Sequence, residues 1–226
     1  MPLSVIVPML NEERAIAATL RAVRAGAPAA EIIVVDGGST DHSRELARPH
    51  CDVMIGAPRG RARQMNAGAA AAHGDALVFV HADTVVPPSF ARDIETALAD
   101  PAVVGGRFDL ALDDPALACR LLGRLISLRS RLMRSATGDQ SIFVRRGIFE
   151  QLGGFADLEL CEDVDFARRL RRVGRVACLR SRVVTSARRW RKDGLILTVI
   201  RMWVIKSLFL AGVPSRWLKR QYADTR

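Results

Sequence analysis

The chain has 226 residues, 49% hydrophobic and 26% charged, which is enough apolar material for one α/β-sized core and excludes a disordered chain. Its four cysteines, Cys51, Cys119, Cys161 and Cys178, form no CxxC pair or zinc spacing, so they read as reduced core residues, not as a disulfide scaffold or a zinc module. The net charge of +10 is local: residues 180–226 hold twelve Lys and Arg against Asp193 and Asp224, while the rest balances at 22 of each sign, which points to an anionic partner at the tail.

In chain order, MPLSVIVPMLNEE has no basic segment ahead of its apolar run, so it does not read as a signal peptide, and a cytoplasmic location is expected. Leu3 to Val7 predicts a strand, and Ile16, Leu20 and Val23 mark the apolar stripe of the following helix. EIIVVD, residues 31–36, is a second strand, and GGSTD supplies its turn and a helix cap. A short strand at 53–55, a helix at 61–72, a strand at 76–81 and a helix at 89–99 follow. This alternation predicts parallel strands joined by right-handed crossovers. Beyond residue 100, an extended segment at 103–112 precedes a long amphipathic helix marked by Leu117, Leu121, Leu125, Leu128 and Leu132. A strand at 140–144, a helix at 162–172 and a strand at 176–179 complete the pattern.

Ligands of open α/β sheets sit beyond the carboxyl ends of the strands. Here those ends carry Asn11-Glu12, then Asp36 with Ser39 and Asp41, then Asp83. Each alone has an ordinary reading as a turn or helix cap. Three ends converging on one crevice make a binding site. No Gly-rich dinucleotide or Walker loop is present.

The segments SVIVPMLNEE (4–13), VVDGGSTD (34–41), GRARQMNAGAAAAHGDALVFVHADT (60–84) and GGFADLELCEDVDFARRL (153–170) together resemble the family 2 glycosyltransferases. The resemblance spans roughly residues 3–180 and implies a GT-A fold: a Rossmann-like three-layer sandwich with a mostly parallel central sheet, here over residues 1–180. Residues 181–226 would then form a helical extension. It implies an inverting, nucleotide-sugar-dependent hexosyltransferase-type enzyme, with a UDP-sugar favoured and a GDP-sugar the alternative. Pro8, Asn11, Glu12 and Asp36 would hold base and ribose, because a carboxylate accepts from ring N–H and ribose hydroxyls. Arg63, with Arg61 and Gln64 behind it, would line the nucleotide pocket and offset diphosphate charge.

Where the family has D-x-D, this chain has His81-Ala82-Asp83. The resemblance makes Asp83 the ligand of Mn2+ or Mg2+, with phosphate oxygens and water completing the shell. His81 and Ala82 fall on the nucleotide, with His81 a second candidate for the metal. In Cys161-Glu162-Asp163, Asp163 matches the family's catalytic base and Glu162 its neighbour, although two acids also suit a helix N-terminus. Asp139 and Gly154 match positions near donor sugar or acceptor.

Residues 194–213 are apolar enough to suggest a span, but Arg201 and Lys206 interrupt them. An interfacial helix on anionic lipid, or packing on the core or on a second subunit as a homodimer, are the alternatives. The leucine helix, with five arginines between residues 120 and 134, belongs to the same surface. Ser186 to Arg191 reads as a surface patch, with an arginine turned back onto the diphosphate as the other reading. The competing functions are a nucleotidyltransferase and a non-catalytic basic module for anionic lipid or nucleic acid. An aromatic content of 5% weighs against nucleic acid.

Overall fold

A computed structural model describes residues 1–133 and 135–221, without the side chains of Arg189 and Gln221. Its elements are β1 (Leu3–Met9), α1 (Ile16–Gly26), β2 (Glu31–Asp36), α2 (Ser43–Ala47), β3 (Val53–Gly56), α3 (Arg61–Ala71), β4 (Ala76–Phe79), β5 (Thr84–Val85), α4 (Phe90–Leu98) and β6 (Val103–Leu112). They continue with α5 (Leu117–Leu132), β7 (Ile142–Arg145), α6 (Arg146–Gln151), α7 (Glu162–Val173), β8 (Arg175–Thr185), α8 (Arg188–Asp193), α9 (Leu195–Leu210) and α10 (Ser215–Gln221). Among the described residues, eight strands form one sheet in the order β3-β2-β1-β4-β7-β6-β8-β5.

Strand alternation explains the layers. Val5, Val7 and Met9 of β1, with Ile32 and Val34 of β2, bury against α1 and α4 on one face. The intervening Ile6, Ile33 and Val35 bury against α3, α6 and α7 on the other. This is the period-two pattern of a strand covered on both sides. The expected three layers are therefore present, but the sheet is parallel mainly in its first half. β3, β2, β1 and β4 run parallel to their neighbours. β7 enters antiparallel between β4 and β6, and only β6 with β8 restores a parallel pair.

β8 runs through Thr185 instead of stopping near residue 179, and it pairs antiparallel with the two-residue β5, Thr84 opposite Thr185. The sheet thus passes residue 180, where the extension was expected to begin. This pairing carries the segment after Thr185 beside Asp83. The four cysteines are free, Cys119 and Cys161 buried and the other two half-buried.

Candidate active site

The crevice beyond β1 and β2 is stitched across its two loops. Asn11 takes a left-handed backbone (φ 53°), tolerable for Asn. Its N–H donates to Ser39 Oγ at 3.0 Å, and its Oδ1 accepts from Thr40 N at 2.8 Å. The Ser39 N–H donates to Asp36 Oδ1 at 3.0 Å, which ties Asp36 to the same loop. Pro8 is buried within β1, opposite Val35. Gln64 of α3 is buried, and its Nε2 donates to the carbonyls of Met9 and Val35 at 2.8 and 2.9 Å. One amide thus anchors α3 to the ends of two strands.

A cleft of about 190 Å³ opens beside this crevice, and among its lining residues are Arg61, His81, Asp83, Asp139, Asp163 and Arg188. Asp83 and Asp163, eighty residues apart in sequence, therefore face one space. Asp36 does not line the cleft; it lies in the adjoining crevice beyond β2. Ala82 is buried, its carbonyl accepting from Thr19 Oγ1 at 2.9 Å.

Asp163 occupies the first turn of α7, where Glu162, Asp163 and Asp165 complement the positive helix end. Cys161 precedes them in a left-handed conformation (φ 67°), which turns the chain into the helix at a backbone cost unusual for a non-glycine. Burial, helped by the charges of Asp163 and Glu162, pushes the Cys161 thiol up to about 12, so it remains protonated. Asp163 accepts from Gly138 N at 2.6 Å through Oδ2 and from Val164 N at 2.7 Å through Oδ1. A β-carbon on Gly138 would meet His81 Nε2 at 2.7 Å, so a glycine is needed for the 3-10 turn Gly138–Gln140 to come this close. Asp139, in that turn, has an enclosed Oδ1, and burial followed by the nearby Asp163 raises its carboxyl pKa above the usual range.

Four expectations need correction. Arg63 does not line the cleft; it pairs with Asp157 at the surface, Nε to Oδ1 at 2.9 Å. Arg61 reaches the cleft instead and pairs with Glu162. Two residues apart on a helix are nearly opposite in direction, so one arginine faces inward only if the other does not. Glu162 is buried in that pair, holds Arg61 and does not line the cleft. Gly154 (φ 70°) is a turn against Asn66 and Phe149, and its carbonyl accepts from Arg169, away from the cleft.

The fourth correction is Arg188. The surface reading fails, because its guanidinium bridges Glu12 Oε2 at 2.7 Å and Asp83 Oδ2 at 3.2 Å. Burial works against its charge, but the Glu12 hydrogen bond and the charges of Glu12 and Asp83 outweigh it and raise its pKa. Sequence reasoning also missed Arg129, Thr137, Trp190 and Lys206, which line the cleft from α5, the following loop, α8 and α9. Nothing in their local sequence distinguishes them from surface or packing residues. Burial, before any neighbouring charge, depresses the pKa of Arg129 and of Lys206.

The model of glycosyl transferase family 2 matches residues 4–146, more than half of the chain. The chain belongs to that family. An uncharacterized glycosyltransferase of Nostoc sp. is 32% identical over 122 residues, which are 50% of this chain and 38% of the relative. The chain therefore spans well under half of that relative's length. Among solved structures, S. aureus TarS 1-349 in complex with UDP-GlcNAc is similar at TM-score 0.67 and 19% identity, over 82% of this chain and 58% of that one. The mannosyltransferase PcManGT of Pyrobaculum calidifontis, in complex with GDP-Man and Mn2+, is similar at TM-score 0.65 and 22% identity, over 91% and 60%. At these identities the likeness is one of fold, the α/β fold of GT-A glycosyltransferases.

Proposed function

We propose that this protein is an inverting glycosyltransferase that moves a sugar from a nucleoside diphosphate sugar to an acceptor oxygen. The observation that carries the reading is that Asp83 and Asp163 share one cleft with Arg61 and Arg188. Asp163 takes the acceptor O–H proton as the acceptor oxygen bonds to the anomeric carbon. The bond from that carbon to the diphosphate breaks on the opposite side, and the nucleoside diphosphate leaves with the electron pair. Arg61 and Arg188 would offset its charge. Pro8, Asn11, Glu12 and Asp36 lie on the adjoining side, suited to base and ribose. TarS and PcManGT, crystallised with UDP-GlcNAc and GDP-Man, support a nucleotide-sugar donor. Family membership favours transfer over the nucleotidyltransferase and the non-catalytic module.

Mn2+ in the PcManGT complex supports a divalent cation. No group of three His, Cys, Asp or Glu suited to a metal exists among the described residues, so the donors fit a cation held by Asp83 and otherwise by phosphate oxygens and water. The Arg188 guanidinium already places positive charge on that carboxylate. When bound there, Mn2+ or Mg2+ would supply Lewis-acid stabilisation of the leaving diphosphate.

Titrating UDP and GDP with and without Mn2+ tests the donor half: binding should require the cation and fail in Asp83→Ala. Asp163→Asn should keep nucleotide binding while transfer falls at least about a hundredfold. Loss of nucleotide binding in Asp163→Asn would overturn its role as base.

The protein is also proposed to work on an anionic membrane surface at the cytoplasmic face. No helix among the described residues is long and apolar enough to cross a membrane. Yet Leu125, Leu132, Ile196 and Trp203 on α5 and α9 are each more than half exposed, within the basic half of the chain. Such a surface suits an interfacial mode. Cosedimentation with phosphatidylglycerol vesicles should be salt-sensitive and should weaken in Leu132→Ser; a concentration-dependent homodimer that leaves vesicles unbound would overturn the proposal.

A further inference from the structure

α5 and α9 enclose a second cavity of about 560 Å³ whose walls are almost wholly apolar, among them Leu122, Leu125, Leu128, Val199 and Trp203. Among the described residues, its charged and hydroxyl lining is Arg129, Thr137 and Asp139. These three, with Trp190 and Met202, also line the catalytic cleft. The groove and the cleft therefore meet along shared side chains, and these polar residues lie on the cleft side. At that junction the Arg129 Nε is enclosed and has no hydrogen-bond partner among the described residues. Leu125 and Leu128, on the outer wall, are 62% and 52% exposed.

An apolar trough that ends at charged groups beside a proposed base has the shape of an amphiphile: a hydrocarbon chain along the helices and an oxygen-bearing head at the cleft. A water-soluble sugar or peptide acceptor would leave these apolar walls wet, an arrangement a site for such a ligand has no reason to maintain. We propose that the acceptor is a lipid whose single apolar chain lies in the α5–α9 groove and whose nucleophilic oxygen reaches Asp163. This inference rests on the transferase reading. The exposed leucines and isoleucine of the same helices would let the chain enter from a lipid surface without crossing water.

The head is either a hydroxyl or a phosphate. Both present an oxygen acceptor to Arg129, and a phosphate would also engage Lys206.

The test uses the full chain and two homologous probes below their micelle concentrations, linear primary alcohols and the matching alkyl phosphates from octyl to tetradecyl. Of the three tryptophans in the chain, Trp190 and Trp203 line the groove, so intrinsic fluorescence reads binding. Each added methylene should tighten binding about fourfold until the groove is full. Leu125→Gln/Leu128→Gln should weaken binding about tenfold or more at every length, with the melting curve retained because both side chains are largely exposed. Tighter binding of the phosphates, lost in Arg129→Gln, assigns a phosphate head; equal binding assigns the hydroxyl. Affinity independent of chain length, or unchanged in the double variant, overturns the groove. UDP with Mn2+ is titrated on the same protein. If UDP binds and the alkyl probes do not, the lipid acceptor is wrong; if the probes bind and UDP does not, the transferase reading is wrong.

Discussion

Helices α4 and α5 carry similar apolar stripes and put them to opposite uses. On α4, Phe90, Ile94 and Leu98 recur every four residues and are buried against the sheet. On α5, Leu117, Leu121, Leu125, Leu128 and Leu132 recur every three or four residues, yet all are exposed, and Cys119, Gly123, Ser127 and Ser130 face inward. The reason is distance. α5 lies so close to β6 that a β-carbon on Gly123 would stand 3.0 Å from the Leu110 carbonyl. Ser127 Oγ accepts from Leu110 N at 2.9 Å and donates to the Gly123 carbonyl at 2.9 Å. A helix held this near a strand excludes leucine from the closest contact, so the five stripe leucines stay exposed while Leu122 and Ile126, at its flank, pack partly buried on the core. The sheet half of the molecule satisfies itself; the α5–α9 half does not.

The contrast can be broken or sharpened by substitution, beginning with the largest expected effect. In the sheet half, Arg61→Ala leaves Glu162 buried without its ion-pair partner and should cost about 3 kcal/mol in urea unfolding. On the inner face of α5, Gly123→Leu should cost about 1–3 kcal/mol by overpacking against β6. On the outer face, Leu132→Ser, 78% exposed, should change stability by less than about 0.5 kcal/mol. Equal costs for these two would mean that α5 is not inverted. Arg188→Ala removes the two ion pairs that α8 makes with Glu12 and Asp83, and UDP affinity measured by calorimetry should fall about tenfold.

A pH dependence at Asp139 tests the junction of the two halves. Its raised carboxyl pKa means the folded chain holds that proton more tightly than the unfolded chain. Its stabilising contribution is therefore complete below the ordinary carboxylate pKa and is lost as pH rises through the raised value. Asp139→Asn, neutral throughout, should match the parent in acid and melt higher near neutrality. A difference that grows in acid would contradict the burial argument.

Much of the fold was legible because its elements carry a clear period. β2, β6 and α5 occupy the expected residues, and β1, α3 and β4 differ only at their ends. β5 escaped notice because two residues cannot display alternation. The apolar run of β8 ends near Leu179 in the sequence because Arg180 and Arg182 interrupt it, although charged residues are normal on the open face of a strand. The antiparallel entry of β7 has no local signature, since the same residues suit either direction. In the site, Asp83 and Asp163 were recognisable from motif context, but the choice between Arg61 and Arg63 depended on the rotation of α3. Arg188 depended on where β8 ended.

By itself, the sequence determined the alternation of strands and helices, the acidic residues at the strand ends, the family and the concentration of positive charge in the tail. These are properties of spacing and composition, carried by neighbouring residues. Only the tertiary structure decided which acids share a cleft, which arginine enters it, and that the stripe leucines of α5, Leu117 to Leu132, point away from the core. Those outcomes depend on strand order and on how closely a helix can approach a sheet, and both are set by contacts between residues far apart in the chain.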